Sequence, residues 1–527
     1  MRRRSAIVLV CLVAGILAMP CGATGEEWKL HTRVRSETET GSGKFRIVER
    51  AVAWNPRETA IVVCDMWDRH WCQGATARVA EMAPRMNEVL KAARARGVLI
   101  LHCPSDTMKF YEGAPQRKIA QAAPRVETDK KPAGWCPLAS GREPALPFDN
   151  SRDRCDCEPQ CPHGNPWRRQ IETLEIAPED AIADSTDAYY LMRERGIRHV
   201  IVMGVHTNMC VLGRPFSIRQ MCGFGQDVVL CRDLTDSMHD SLSPPVGLDH
   251  FRATDLVVEH IEKYWCPTIL STDFLGGAPF AFAGDRRPHV VFVVGEDEYE
   301  TKTTLPRFAD EELASRNIRT TFVHASESDP NDFPGLEALD SADLLVVSVR
   351  RRTPPTEQLA RIKAYLASGK PVVGIRTASH AFALRDGNEP PAGHAVWPEF
   401  DGTVLGGHYT GHHGNKPGAG ARTLIWIEPG AADNPLLQGF PAGELQVPSW
   451  LYKTSPVASS AKVLLRGRVE GKQPDEPVAW TYATPAGNRV FYTSLGHPEE
   501  FAMPAFRHLL TNGIVWALGQ PAAGSAE

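Results

Sequence analysis

The stretch VMGVHTNMCVL at 202–212 places Cys210 just past an apolar run, behind Gly204 and a series of small polar residues. A thiol there can be packed core, half of a disulfide, a metal ligand or a nucleophile. As a nucleophile it needs a base for its proton and surroundings that favour the thiolate. Asp65, which ends the run TAIVVCD, offers that base, and the backbone around Val205, His206, Asn208 and Met209 offers amides for a developing oxyanion. Asp68 and His70 follow in DMWDRHWC, either as ligands for a divalent metal or as a solvated polar pair. Cys155, Cys157, Cys161 and His163 lie within nine residues of one another. Their atoms suit tetrahedral zinc, but C-x-C-x3-C-x-H is an unusual spacing, so disulfides among these cysteines or to Cys136 are the expected form. Further along, His380, His408 and His497 stand on expected loops with His412 and His413. If the first three converge they could bind sugar hydroxyls or a metal; otherwise they satisfy loop backbone.

Elements that could position these residues are readable from Thr59 onward. TAIVVCD, ATARVAEMAPRMNEVLKAARARG and VLILHCP alternate a short β-branched run with a helical pattern ending at Gly, the rhythm of βαβ units. The rhythm lapses over 104–180, which reads as a Cys-rich insertion or elaborated loop, and resumes through TDAYYLMRERG, IRHVIVMGV, a helix beginning near Met209, and QDVVLCRD. A second unit opens after the linker-like GGAPFAFAGDRRP, with PHVVFVVGEDEY, LEALDSADLLVVSV and TEQLARIKAYLASGKPVVGIRT. The expected fold class is therefore α/β: two doubly wound, three-layer parallel-sheet domains in tandem, over 50–275 and 288–520. In such sheets ligands bind at the carboxyl ends of the strands, where Asp65 and Cys210 fall. A start of Cys210's helix would also favour the thiolate through its unpaired amides and dipole.

AIVVCDMWD and VIVMGVHTNMCVLGRPFSIRQMCGFGQDVVLCRDLTD resemble the two signature segments of the isochorismatase-like cysteine hydrolases, which include nicotinamidases. The resemblance spans roughly 55–270. It implies that Asp65 is the acid and Cys210 the nucleophile, and that Gly204-Val205-His206 is the loop where these proteins carry a cis peptide. It also implies a lysine after the third strand, where this chain has IADSTDAYY, with Asp184 and Ser185. Lys109, Lys118, Lys130, Lys131, Arg168 and Arg169 are the cations near enough in sequence to substitute. Asp68 and His70 are similar to the metal-binding pair of nicotinamidases, without its second histidine. The second unit resembles the ThuA-like (trehalose utilisation) domain, related in fold to class I glutamine amidotransferases, through KPVVGIRTASHAF, WPEFDGTVLGGHYTGHHG and EPVAWTYATPAGNRVFYTSLGHPEEF. The resemblance puts a strained elbow after GIRT, where this chain has Thr377, Ala378 and Ser379 and no thiol.

Bulk properties limit the remaining choices. At 527 residues the chain exceeds one core, and its formal net charge of -5 gives no electrostatic reason to expect nucleic acid. MRRRSAIVLVCLVAGILAMPCGATGEE has the layout of a secretory signal peptide over 1–23, and no later run has the length of a membrane span, so an exported protein is expected. Of thirteen cysteines, eleven lie between Cys64 and Cys266, an odd number that leaves one thiol free if the rest pair, with Cys210 the candidate. The expected function is hydrolysis of a small-molecule C–N or related bond through Cys210, with no cofactor required, a divalent metal at Asp68 and His70 as an option, and association into homo-oligomers as these folds often show. The alternative is a carbohydrate-active or carbohydrate-binding protein working through the histidine cluster of the second unit.

Overall fold

The computed structural model describes residues 27–128, 130–149, 154–385, 388–414 and 422–520. The expected signal segment 1–23 lies outside them. Among the described residues no helix is long and apolar enough to cross a membrane.

The first sheet contains β1 (Trp28–Glu37), β2 (Phe45–Trp54), β3 (Thr59–Cys64), β4 (Leu99–Cys103), β5 (Ala181–Ile182), β6 (His199–Val205), β7 (Asp227–Asp236) and β8 (Thr268–Ile269), in the order β2-β1-β8-β7-β6-β3-β4-β5. Strands β3 to β8 run parallel, and the hairpin β1–β2 joins the β8 edge antiparallel. That hairpin begins well before position 50, so the sheet takes in residues outside the expected 50–275. Alternation on β3 shows the layering: Ala60, Val62 and Cys64 enter one core, whereas Ile61 and Val63 enter the other. The Ile61 face is covered by α1 (Gln73–Ala95), through Val79, Met82, Met86, Val89 and Leu90. The Val62 face is covered by α3 (Asp187–Glu194), α4 (Cys210–Gly213), α5 (Ile218–Gly223) and α6 (His250–Tyr264), while α2 (Pro115–Ala122) lies within the insertion and α7 (Thr272–Leu275) near the linker.

The second sheet contains β9 (His289–Gly295), β10 (Arg319–His324), β11 (Leu344–Val349), β12 (Val372–Ile375), β14 (Thr423–Ile427), β15 (Leu445–Val447), β17 (Lys462–Val469), β18 (Glu476–Ala483) and β19 (Arg489–Thr493). Their order is β10-β9-β11-β12-β19-β18-β17-β14-β15, and β13 (Gly411–His413) pairs separately with β16 (Leu451–Lys453). Helices α8 (Thr301–Phe308) and α10 (Pro504–Ala517) pack on one face, and α9 (Thr356–Ala367) on the other. The two α/β layered units in tandem are as expected, with one refinement. Half of the second sheet, from β18 outward, is antiparallel, because β17, β18 and β19 follow one another through short turns rather than helical crossovers.

Candidate functional site

Strands β3 and β6 are neighbours, with Cys64 paired to Gly204, so the loops after them emerge side by side. The approach is close enough to require glycine: a Cβ on Gly204, whose φ is +112°, would sit 2.0 Å from the Cys64 carbonyl oxygen. Asp65 leaves β3 with φ of +46° and is wholly buried. The Val205–His206 peptide is cis, in the loop where the sequence resemblance places one.

These turns bring the carboxyl of Asp65 close enough to the Cys210 thiol for each to shift the other's ionisation. Asp65 Oδ1 accepts from the Ser105 amide at 2.8 Å, and Oδ2 accepts from Arg214 Nε at 3.1 Å. The Arg214 guanidinium also reaches the Cys210 sulfur, and its other arm donates to Asp106 at 3.0 Å. Burial pushes the thiol well above its ordinary range and the neighbouring Asp65 charge adds to this, while Arg214 opposes both. Burial likewise raises the Asp65 carboxyl, against the pull of Arg214 and of its hydrogen bonds. Cys210 keeps 7% of its surface exposed and Asp65 none, so both groups sit at the floor of the site.

Arg214 supplies the cation beside Asp65, and none of the six upstream cations pairs with that carboxylate. Arg168 pairs with Asp68, Arg169 with Glu172. The signal for Arg214 lies in GRPF. The helix expected from Met209 lasts four residues, because the residue before a proline is disfavoured in the α region. Arg214 is accordingly extended, at φ −67° and ψ 152°, and its side chain points to Asp65 instead of continuing along a helix. The charge on the guanidinium, more than the dipole of so short a helix, opposes the cost of a buried thiolate. Asp184, where the resemblance expects the lysine, is close enough for its carboxyl to feel Arg214; burial raises it and Arg214 lowers it.

The other expected pocket residues have structural partners. Asn208 exchanges two hydrogen bonds with the Met238 backbone, 2.8 and 2.9 Å, which fixes the loop. The amides of Thr207, Met209 and Val211 are bonded within the loop or to Asp236. Val205 and His206 are buried, and burial lowers the His206 pKa to about 3, leaving it neutral. The insertion closes over this region: a Cβ on Gly213 would lie 2.7 Å from the Trp135 ring, over which the Arg214 guanidinium also stands.

At the expected metal pair, Asp68 Oδ1 accepts from the amides of Arg168 and Arg169, and His70 Nδ1 accepts from the Cys72 amide. The Cys155–Cys157–Cys161 segment is not bridged, and the eleven described cysteines all carry free sulfurs. Cys136 lies elsewhere, against Gln220, and His163 stacks on Trp71 at 4.3 Å.

In the second unit the three histidines are engaged separately. His380 stacks on Tyr409 at 4.5 Å, the exposed His408 pairs with Asp401, and His497 caps the turn that follows it by accepting from the Glu499 amide. The strained elbow falls one residue earlier than expected, at Arg376, whose φ is +44° directly after β12. Its buried guanidinium donates to Ser449 Oγ, the Ser494 carbonyl and Tyr299 Oη, and lies over the rings of Tyr299 and Tyr452. The Nε of Arg376 has no hydrogen-bond partner among the described residues.

Comparison with known proteins agrees with this division of the chain. The Isochorismatase domain family matches residues 59–254, and the ThuA family, described as trehalose utilisation, matches 290–517. No curated protein matches the chain. Solved structures similar to parts of it include a ThuA-like protein from Parabacteroides merdae ATCC 43184, at 16% identity over 45% of this chain and 92% of that one, TM-score 0.33. A cysteine hydrolase from Pseudomonas syringae pv. phaseolicola 1448A is 19% identical over 42% of this chain and 91% of its own, TM-score 0.26. N-carbamoylsarcosine amidase from Thermoplasma acidophilum is 12% identical over 35% and 87%, TM-score 0.21. The chain thus joins an isochorismatase-like domain to a ThuA-like domain.

Proposed function

We propose that the first unit hydrolyses a C–N or related bond of a small molecule through a covalent Cys210 adduct. The observation that supports this reading is the contact of one thiol, one carboxylate and one guanidinium: Cys210, Asp65 and Arg214. As the sulfur attacks an electrophilic carbon, Asp65, whose carboxyl burial raises, takes the thiol proton. The amides of Asn208 and Cys210 hold the resulting oxyanion. The intermediate collapses, Asp65 returns the proton to the leaving nitrogen, and the acyl group stays on sulfur. Water then attacks the thioester while Asp65 removes its proton, and that proton restores the thiol as the acid product leaves. Throughout, Arg214 limits the cost of negative charge shuttling between sulfur and carboxylate.

A panel of small amides and carbamoyl compounds, assayed with the full chain and with Cys210→Ala, tests this. The expected outcome is activity that falls by about 10³-fold or more in the variant, with a trapped acyl-enzyme detectable by intact mass in the wild type only. Activity that survives the substitution would transfer the chemistry elsewhere.

One observation favours a second reading, in which the second unit binds a carbohydrate. The half-buried rings of Tyr299 and Tyr409, gathered around Arg376 and Tyr452, suit stacking on a sugar face. Sugar binding that persists in Cys210→Ala would support it.

A further inference from the structure

We propose that Cys72, Cys155, Cys157 and Cys161 form a closed tetrathiolate site for zinc, which clamps the insertion to the amino-terminal end of α1. The four sulfurs lie within 4.8 Å of one another, although Cys72 is more than eighty residues from the other three. Cys72 and Cys157 are 3.7 Å apart. A disulfide requires about 2.0 Å, whereas four sulfurs at about 2.3 Å from a tetrahedral zinc are separated by about 3.8 Å. The observed separation is that of ligands around a shared centre.

The surroundings are built for sulfur that carries negative charge. Three successive amides at the start of α1 donate to the cluster: Gln73 to Cys161 at 3.4 Å, Gly74 to Cys157 at 3.4 Å, and Ala75 to Cys72 at 3.3 Å. A Cβ on Gly74 would crowd the site, 3.2 Å from the Cys157 sulfur and 3.7 Å from that of Cys72. Cys72, Cys155 and Cys161 are buried and Cys157 is half-buried. Four protein sulfurs complete the coordination and leave no open position, so the ion is structural. Soft thiolates select zinc over magnesium or calcium. Binding forms four Zn–S bonds and releases the thiol protons to solvent.

The position gives the ion a consequence for the neighbouring loop. Met209 and Met238 pack against the sulfur cluster. Met209 immediately precedes Cys210, and Met238 holds Asn208 through its backbone. Zinc therefore braces the loop that presents Cys210, as well as the insertion that covers it. The assignment rests on the sulfurs alone and stands whether or not Cys210 is a nucleophile.

Metal analysis of the purified full chain is the first test, with one zinc per chain expected. Cobalt exchanged into the protein should give the intense sulfur-to-metal charge-transfer absorption of a tetrathiolate site. Cys72→Ser and Cys157→Ser should each lose the bound zinc. Should either variant fail to fold, stepwise titration of the wild type with a mercurial reagent decides instead: zinc release should track modification of these four thiols, mapped by peptide mass. A chain with no stoichiometric metal, non-reducing peptide maps that pair the four cysteines as disulfides, or zinc retained at full occupancy by Cys72→Ser would overturn the assignment.

Discussion

The turn after β3 and the turn after β12 make an instructive pair. Each follows a buried parallel strand, and each starts with a non-glycine residue at positive φ: Asp65 at +46° and Arg376 at +44°. Each holds a guanidinium. In the first, Arg214 faces a carboxylate and a thiol, two groups that exchange a proton in the proposed reaction. In the second, Arg376 faces hydroxyls, a carbonyl and tyrosine rings, with no thiol in the matched ThuA region. The same strand-end geometry thus sets an arginine beside ionisable groups in one unit and beside hydroxyls and rings in the other. What distinguishes them is the partner of the arginine.

Removing the arginine from the first turn should show this most strongly. Arg214→Ala leaves the buried Asp65 without its ion-pair partner and takes the nearest positive charge from Cys210. We expect hydrolysis to fall by about 10²-fold or more, and iodoacetamide alkylation of Cys210 to require a higher pH. Arg214→Lys should recover part of both. An alkylation profile unchanged in Arg214→Ala would show that this guanidinium does not set the state of the thiol.

Buried histidines give the comparison a second form, in opposite directions of pH. His250 lies between Asp156 and Asp236; burial works against its charge, but the two carboxylates prevail and raise its pKa to about 9. The stabilisation is fully present below the unfolded value near 6.5 and is lost as pH rises through about 9. His380 is lowered to about 3, chiefly by burial and then by Arg351 and Arg350. Its contribution is present above about 6.5 and is lost as pH falls toward 3. The ceilings are of order 3 kcal/mol for His250 and of order 5 kcal/mol for His380. Calorimetry of the full chain should therefore show the first unit weakening on the alkaline side and the second on the acid side. His250→Gln should flatten the first limb and His380→Gln the second; unaltered limbs would remove these residues from the account.

The smallest effect is expected at Asp184, which shares the field of Arg214 with Asp65. Asp184→Asn should change the hydrolysis rate by less than about tenfold and move Cys210 alkylation slightly to lower pH. A loss as large as that of Arg214→Ala would make Asp184 part of the proton-transfer group.

Local pattern carries a definite share of this molecule. Apolar runs ending at Asp65 and Gly204, with helical spacing between them, are enough to expect parallel strands whose carboxyl ends carry Asp65 and Cys210, because side-chain periodicity is written over a few consecutive residues. The hairpin 28–54 escapes that pattern. Its strands, WKLHTRVRSE and FRIVERAVAW, are exposed along much of one face and so rich in charge that they do not read as part of a buried sheet. The break at Arg214 could have been anticipated from Pro215, since the steric rule acts on the adjacent residue.

Composition and spacing established the α/β class, the tandem arrangement and the types of residue at the strand ends, all of which depend on neighbours in the chain. Only the folded structure decided that Arg214 faces Asp65, that Cys72 joins three cysteines of the insertion, and that the three candidate histidines of the second unit have separate partners. Such meetings depend on strand order, on register and on the path of loops tens of residues long, and no short stretch of sequence encodes the distance between two residues that the chain must travel far to bring together.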